Sequence, residues 1–211
     1  MTCPFRPIVA EPRFLVLKIV HYPHPILRRA SKPLRRVDAE LRKMVAEMFE
    51  LIYDPAHKGI GLAANQVDLP YRLFVANISG DSAAKDQEFV FINPVISHPK
   101  GSAEAEEGCL SLPGLYAQVR RPERIVVTAY NLSGEEARYD CDGLFARCVQ
   151  HECDHLDGVL FVDKLPPTAK ISVKEQLDEF EAEFASRRQH GEIGGDDALL
   201  ARWEELERLR S

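Results

Sequence analysis

Apolar residues follow two different rhythms along this chain. Leu41, Met44, Val45, Met48, Leu51 and Ile52 fall at the i, i+3, i+4, i+7 spacing of one helix face. Asp38 can cap that helix, and Asp54-Pro55 stops it after about Tyr53. Between 59 and 140 the rhythm shortens into runs with strand character: Tyr71–Asn77, Glu88–Val95 and Arg124–Asn131. Turn signals at Ser79-Gly80, Pro99-Lys100-Gly101 and Ser133-Gly134 separate them. No helices alternate with these strands, which predicts an antiparallel or mixed sheet rather than a parallel βαβ one. Helical spacing returns from Gly143 to about Leu156, with Leu144, Cys148, His151 and His155 on one face and Gly158 as a stop. Another helix is expected after Pro166-Pro167, with Ile171, Val173, Leu177, Phe180 and Phe184 as its apolar stripe. A last one is expected from Asp196 to Arg210, with Leu199, Leu200, Trp203 and Leu206 on one side and Gly191, Gly194 and Gly195 before it. Residues 1–36, rich in Pro and Arg, read as irregular.

Composition narrows the setting. A chain of 211 residues is long enough for one sizeable core and short for two. Its 45% hydrophobic and 28% charged content is that of an ordinary globular protein, and a net charge of −6 argues against a nucleic-acid-binding surface. The longest apolar runs, such as Phe89-Val90-Phe91-Ile92, are strand-sized, so no membrane span is expected. Pro4, Pro7, Glu11 and Pro12 interrupt the stretch where a signal peptide needs unbroken apolar sequence, and the expected location is cytoplasmic. The five cysteines are odd in number and form no C-x-x-C pair, which fits reduced thiols. Cys3, Cys141 and Cys153 read as small buried hydrophobes.

Chemistry enters at His151-Glu152-Cys153-Asp154-His155, an H-E-x-x-H pattern inside a predicted helix. Residues four apart lie on one helix face, so both imidazoles can point at one metal ion. Glu152, about 100° further round, can reach a water on that ion without ligating it. A catalytic site of this kind takes three protein ligands, so a third must come from elsewhere. The continuation H-x-x-G-x-x-H fails, because residue 161 is Phe. Glu175 is one alternative, although its acidic helical surroundings also fit a solvated face. Cys109, between Gly108 and Leu110-Ser111, is the other, and thiolate is a strong ligand for zinc and ferrous iron. Cys148, three residues before His151, fits better as pocket wall than as a third ligand from the same short helix.

Three separated motifs carry a family resemblance. Gly59-Ile60-Gly61-Leu62-Ala63-Ala64-Asn65-Gln66, Glu107-Gly108-Cys109-Leu110-Ser111 and His151-Glu152-Cys153-Asp154-His155 occur in the order and approximate spacing of the peptide deformylases. From about residue 15 to 185 the chain resembles a bacterial-type member, including Tyr22-Pro23-His24-Pro25-Ile26-Leu27-Arg28 and Leu156-Asp157-Gly158-Val159-Leu160-Phe161. The resemblance implies a compact single α+β domain, with sheets packed around a central metal-binding helix and C-terminal helices added. It implies metal ligation by Cys109, His151 and His155, and acid/base work by Glu152. Gln66 and the backbone N–H of Leu110 would bind the oxyanion. Ile60, Gly61 and Gly108 would pair with an extended substrate, and Cys148 would border the methionine pocket.

The reaction so implied is hydrolysis of the N-formyl group from formyl-methionyl chains by a metal-bound water, releasing formate. The substrate is a nascent polypeptide emerging from the ribosome, and neither nucleic acid nor membrane is an expected partner. One divalent ion per chain is expected, Fe²⁺ in the cell, with Zn²⁺, Ni²⁺ or Co²⁺ as substitutes; the chain is expected to be a monomer or homodimer. Gly61 is expected to let a substrate backbone come close. Residues 1–190 read as the catalytic domain and 191–211 as a helical extension, either crossing in a dimer or folding over its own subunit. Two rivals remain: a zinc endopeptidase with Glu175 as third ligand, and a binder of formylated peptides that does not turn them over, for which a lost acid/base residue would be the signature.

Overall fold

The computed structural model describes residues 17–211. The expectations for Cys3, for the interrupted N-terminal stretch and for the irregular segment up to residue 16 lie outside the described residues. Helix α1 spans Ala39–Tyr53 and is capped by Asp38, whose side chain accepts from the Leu41 N–H. Such a cap is worth about 1 kcal/mol. Leu41, Val45, Met48 and Ile52 face inward as the spacing requires, together with Phe49.

Among the described residues, seven strands follow in two antiparallel sheets. β1 (Gly61–Ala63), β2 (Leu73–Ala76), β3 (Phe89–Lys100), β6 (Arg124–Tyr130) and β7 (Glu136–Asp142) form one sheet in the order β1-β2-β3-β6-β7. β4 (Ala103–Cys109) and β5 (Leu112–Arg121) form a separate hairpin. β3 runs past the expected stop at Val95, through Pro94 and Pro99. Its register against β6 shifts between Ile92 and Val95 and again between Ser97 and Lys100. A proline cannot donate to the ladder, and a bulge beside each one lets the strand continue. The turn falls at Gly101, the last residue of the expected turn signal, where φ is +70°.

Helix α2 (Gly143–Leu156) packs against β1, β2, β6 and β7 and against a 3-10 turn at Ala64–Val67. It is the central helix of the α+β fold, with an apolar side made by Ala146, Val149 and Leu156. Leu144, expected on its inner face, is 54% exposed at the rim. The single helix expected after Pro166-Pro167 is two, α3 (Pro167–Ser172) and α4 (Lys174–Gln189), meeting at Val173. Val173 is buried there and anchors the junction, whereas Ile171 projects into solvent.

Helix α5 (Asp196–Arg210) packs onto its own chain. Leu199 and Trp203 are buried and Leu206 is partly so, but Leu200 of the expected stripe is exposed. Polar ties complete the docking. Arg29 donates to Glu207 at 2.9 Å, and the buried Arg210 guanidinium reaches Tyr71 Oη at 3.0 Å. Among the described residues no helix is long and apolar enough to cross a membrane.

Candidate metal centre and active site

Cys109, His151 and His155 converge although the first comes from a hairpin and the others from α2. Their donor atoms all lie within 4.8 Å of one another, and they are the only such group of three among the described residues. Cys109 closes β4, where a register shift between Gly108 and Cys109 turns the chain through Leu110-Ser111 into β5. Its Sγ lies 3.2 Å from His155 Nε2. Tetrahedral coordination separates such donors by roughly 3.5 Å, so the trio fits one ion with small adjustment. One thiolate and two imidazoles suit a borderline transition metal. Glu175, the rival third ligand, is exposed on α4 and takes no part.

Glu107 organises this trio, a role that sequence reading did not assign. It accepts from His151 Nδ1 at 3.0 Å, leaving Nε2 of that ring to face the other donors. Arg121 grips Glu107 with two bonds of 2.6 and 2.9 Å, and Arg147 adds a third at 2.6 Å. Burial would push the Glu107 carboxyl up, but the bonds from His151 and Arg121 outweigh it and hold it at about 2. His151 is drawn the other way: burial lowers it, while bonding to Cys109 and Glu107 raises it to about 10. Burial, with the His151 charge next to it, drives His155 well below its ordinary value. Carboxylates behind ligating histidines typically contribute 10–100-fold to metal affinity. Glu107→Gln is therefore expected to weaken the metal by about that factor, measured by chelator competition; an unchanged dissociation constant would remove Glu107 from the site.

Glu152 follows His151 on α2 and is 4% exposed. Its Oε2 has no hydrogen-bond partner among the described residues. Burial pushes this carboxyl up to about 7, against the opposing pull of the His151 and Arg121 charges. Gly61 lies against it: a Cβ there would come 2.6 Å from Glu152 Oε1 and 2.7 Å from Cys148 Sγ. The sequence assigned that glycine to substrate approach. The structure gives it a second reason, room for the carboxylate. Gly61→Ala should consequently cut kcat by about tenfold or more through a displaced Glu152, with melting temperature as the control for folding.

Gln66 sits on the Ala64–Val67 turn, fully buried. Its Oε1 accepts from the Ala63 N–H at 2.8 Å, which aims Nε2 toward Ser111 Oγ at 3.2 Å and Cys109 Sγ at 3.4 Å. Asn65, beside it, donates to the His155 carbonyl at 2.5 Å and ties the turn to α2.

A cavity of about 590 Å³ opens over these groups. Ile60, Gly61, Gln66, Gly108, Cys109, Leu110, Cys148, His151 and Glu152 all line it. Cys148 is buried in its wall, its thiol 3.7 Å from the Ile60 carbonyl, and burial raises that thiol well above its usual value. Among the described residues β1 pairs with β2 only, and β4 with β5 only, so each has one edge without a partner strand there, Gly61 on one and Gly108 on the other.

A protein that buries a carboxylate without a partner for one oxygen, against three converging metal-type donors, is built for hydrolysis at a metal ion. The chain is a metal-dependent hydrolase. Comparison with known proteins specifies which. The sequence profile of polypeptide deformylase matches residues 16–170. A peptide deformylase of Rhodopirellula baltica is 45% identical over 194 residues, 90% of this chain and 94% of that protein. One from Neisseria gonorrhoeae is 45% identical over 162 residues, 77% of this chain and 94% of that one. A peptide deformylase structure from Plasmodium falciparum superposes with a TM-score of 0.77 at 37% identity, covering 80% of this chain and 98% of that one. The chain belongs to the polypeptide deformylase family, and its reaction is peptide deformylation, the hydrolytic release of an N-terminal formyl group as formate.

Proposed function

We propose that the substrate is the formyl-methionyl end of a nascent polypeptide emerging from the ribosome, and that Glu152 moves the protons of its hydrolysis. The observation that carries this reading is the buried Glu152 carboxylate, held at about 7 beside the Cys109, His151 and His155 donors. A general acid/base works best with a pKa near the operating pH, so that it can take a proton and return it. Those three residues hold one divalent ion, Fe²⁺ in the cell, with Zn²⁺, Ni²⁺ or Co²⁺ as substitutes. When bound, the ion supplies Lewis acidity and brings a water pKa from 15.7 to about 7.

The remaining chemistry belongs to the chain. Glu152 accepts the proton of the attacking water and delivers it to the departing amine nitrogen. The Gln66 Nε2–H and the Leu110 backbone N–H receive the negative charge that develops on the formyl oxygen. One such donor is worth roughly 3 kcal/mol in comparable sites. Gln66 is suited to this because its Oε1 is already engaged by Ala63, which fixes the donor end toward Cys109. The substrate backbone lies extended between the open edges at Ile60-Gly61 and Gly108, as an added strand does. Cys148 borders the space for the methionine side chain.

Residues 1–190 act as the catalytic domain and 191–211 as its extension, in a cytoplasmic monomer or homodimer that needs neither nucleic acid nor membrane contact. The deciding experiment is formate release from formyl-Met-Ala under anaerobic conditions, with and without added metal. Release is expected with Fe²⁺ or Ni²⁺; none with either ion would overturn the reading.

A further inference from the structure

We propose that helix α5 is a positioning element for Gln66, acting through Asp68. The inference rests on the role of Gln66 proposed above. Gln66 occupies the third position of the Ala64–Val67 turn, and the direction of its amide is set by backbone only three residues away, at Ala63. A change in the pitch of this turn would therefore swing Nε2 away from Cys109 and Ser111.

The turn ends at Asp68, which adopts a left-handed conformation with φ +60° and ψ +32°. Residues other than glycine adopt it at a cost, although Asp and Asn tolerate it better than most. The Asp68 N–H closes the turn onto the Ala64 and Asn65 carbonyls, so Asp68 fixes the C-terminal end of the turn, beside the Leu69 N–H on the Ala64 carbonyl and the Val20 N–H on the Gln66 carbonyl. No neighbour in the turn secures the Asp68 carboxylate. Two consecutive residues of α5 do: the Trp203 indole N–H donates to Oδ1 at 2.7 Å, and Arg202 forms a close ion pair with Oδ2. Arg202 also reaches the Asp68 carbonyl at 3.3 Å.

Helix α5 is itself held fast from both sides of this clamp. Leu199 and Trp203 are buried, Glu207 pairs with Arg29, and Arg210 is buried against Tyr71. The Tyr71 hydroxyl also donates to the Leu206 carbonyl at 3.2 Å. A rigid helix thus grips the residue that terminates the turn, two positions after the oxyanion donor. The polypeptide deformylase profile ends at residue 170, so this brace comes from sequence beyond it.

The test uses the full chain carrying Trp203→Phe and Arg202→Met, which keep most of the packing and remove the side-chain donors to Asp68. On formyl-Met-Ala, kcat is expected to fall about tenfold, with KM within twofold and bound metal unchanged. The same pair of changes placed in a Gln66→Ala enzyme is expected to cause no further loss, because the group they position is gone. An equal loss in the Gln66→Ala background overturns the inference, as does a lowered melting temperature with unchanged kcat per folded molecule. If the double variant does not fold, Trp203→Phe alone is judged by the same cycle, with about a threefold loss expected. Failure of the unmodified enzyme to release formate would instead overturn the reading on which the inference rests.

Discussion

Glu152→Gln is expected to lower kcat for formate release about a thousandfold while leaving the metal in place, within the 10²–10⁴ range that a positioned acid/base contributes. The substitution is nearly isosteric, so the closely packed junction with Gly61 and Cys148 should survive it. Glutamine can neither accept the water proton nor return one to the amine. Metal content by elemental analysis and substrate affinity are expected to match the parent, which separates lost proton transfer from lost ligation. A loss of rate under tenfold would assign proton transfer to another group.

Cys109→Ala is expected to abolish tight metal binding, and with it activity, because two imidazoles alone make an incomplete site. Dialysis against a mild chelator followed by elemental analysis would show the variant empty and the parent loaded. Glu175→Gln is the matched control. Glu175 is exposed on α4, and its replacement should change neither metal content nor rate. Retained metal in Cys109→Ala with loss in Glu175→Gln would restore the endopeptidase alternative. Because Cys109 ends β4 at the turn into β5, the circular dichroism spectrum should be compared to confirm that the hairpin persists.

The elements that sequence alone located are those whose signals are local. α1 and α2 carry apolar residues at helical spacing over four turns, and the Asp38 cap and Gly158 stop mark ends that need no tertiary partner. β4 was invisible because Ala103-Glu104-Ala105-Glu106-Glu107 alternates small and acidic residues with no β-branched side chain. Such a segment pairs for reasons of topology, not propensity. Glu107 shows the same limit at the site. In the sequence it is one of two adjacent acids, indistinguishable from a solvated pair. Its burial depends on Arg121 and Arg147, which lie 14 and 40 residues away and meet it only once β4 pairs with β5 and the hairpin packs on α2. The metal trio was legible in halves: the helix by spacing, and Cys109 as one of two candidates by its surroundings and thiolate chemistry, singled out by resemblance to a family. The division at Val173 was missed because the apolar stripe continues through it without interruption.

The strand edges at Gly61 and Gly108, without a partner strand among the described residues, bear on when the enzyme can act if they hold the substrate as proposed. On the substrate pairing proposed above, a cleft bounded by main chain on both sides would take hold of a chain end by its backbone, with little regard for which side chains follow the first. Many different proteins can therefore share one catalyst. The same arrangement accepts only an end whose own amides are still uncommitted. Once the first residues of a client join a strand or helix of its own fold, they have nothing left to offer these edges. On that proposed pairing, removal of the formyl group would carry a deadline, set by the folding rate of each client rather than by the chemistry of the site.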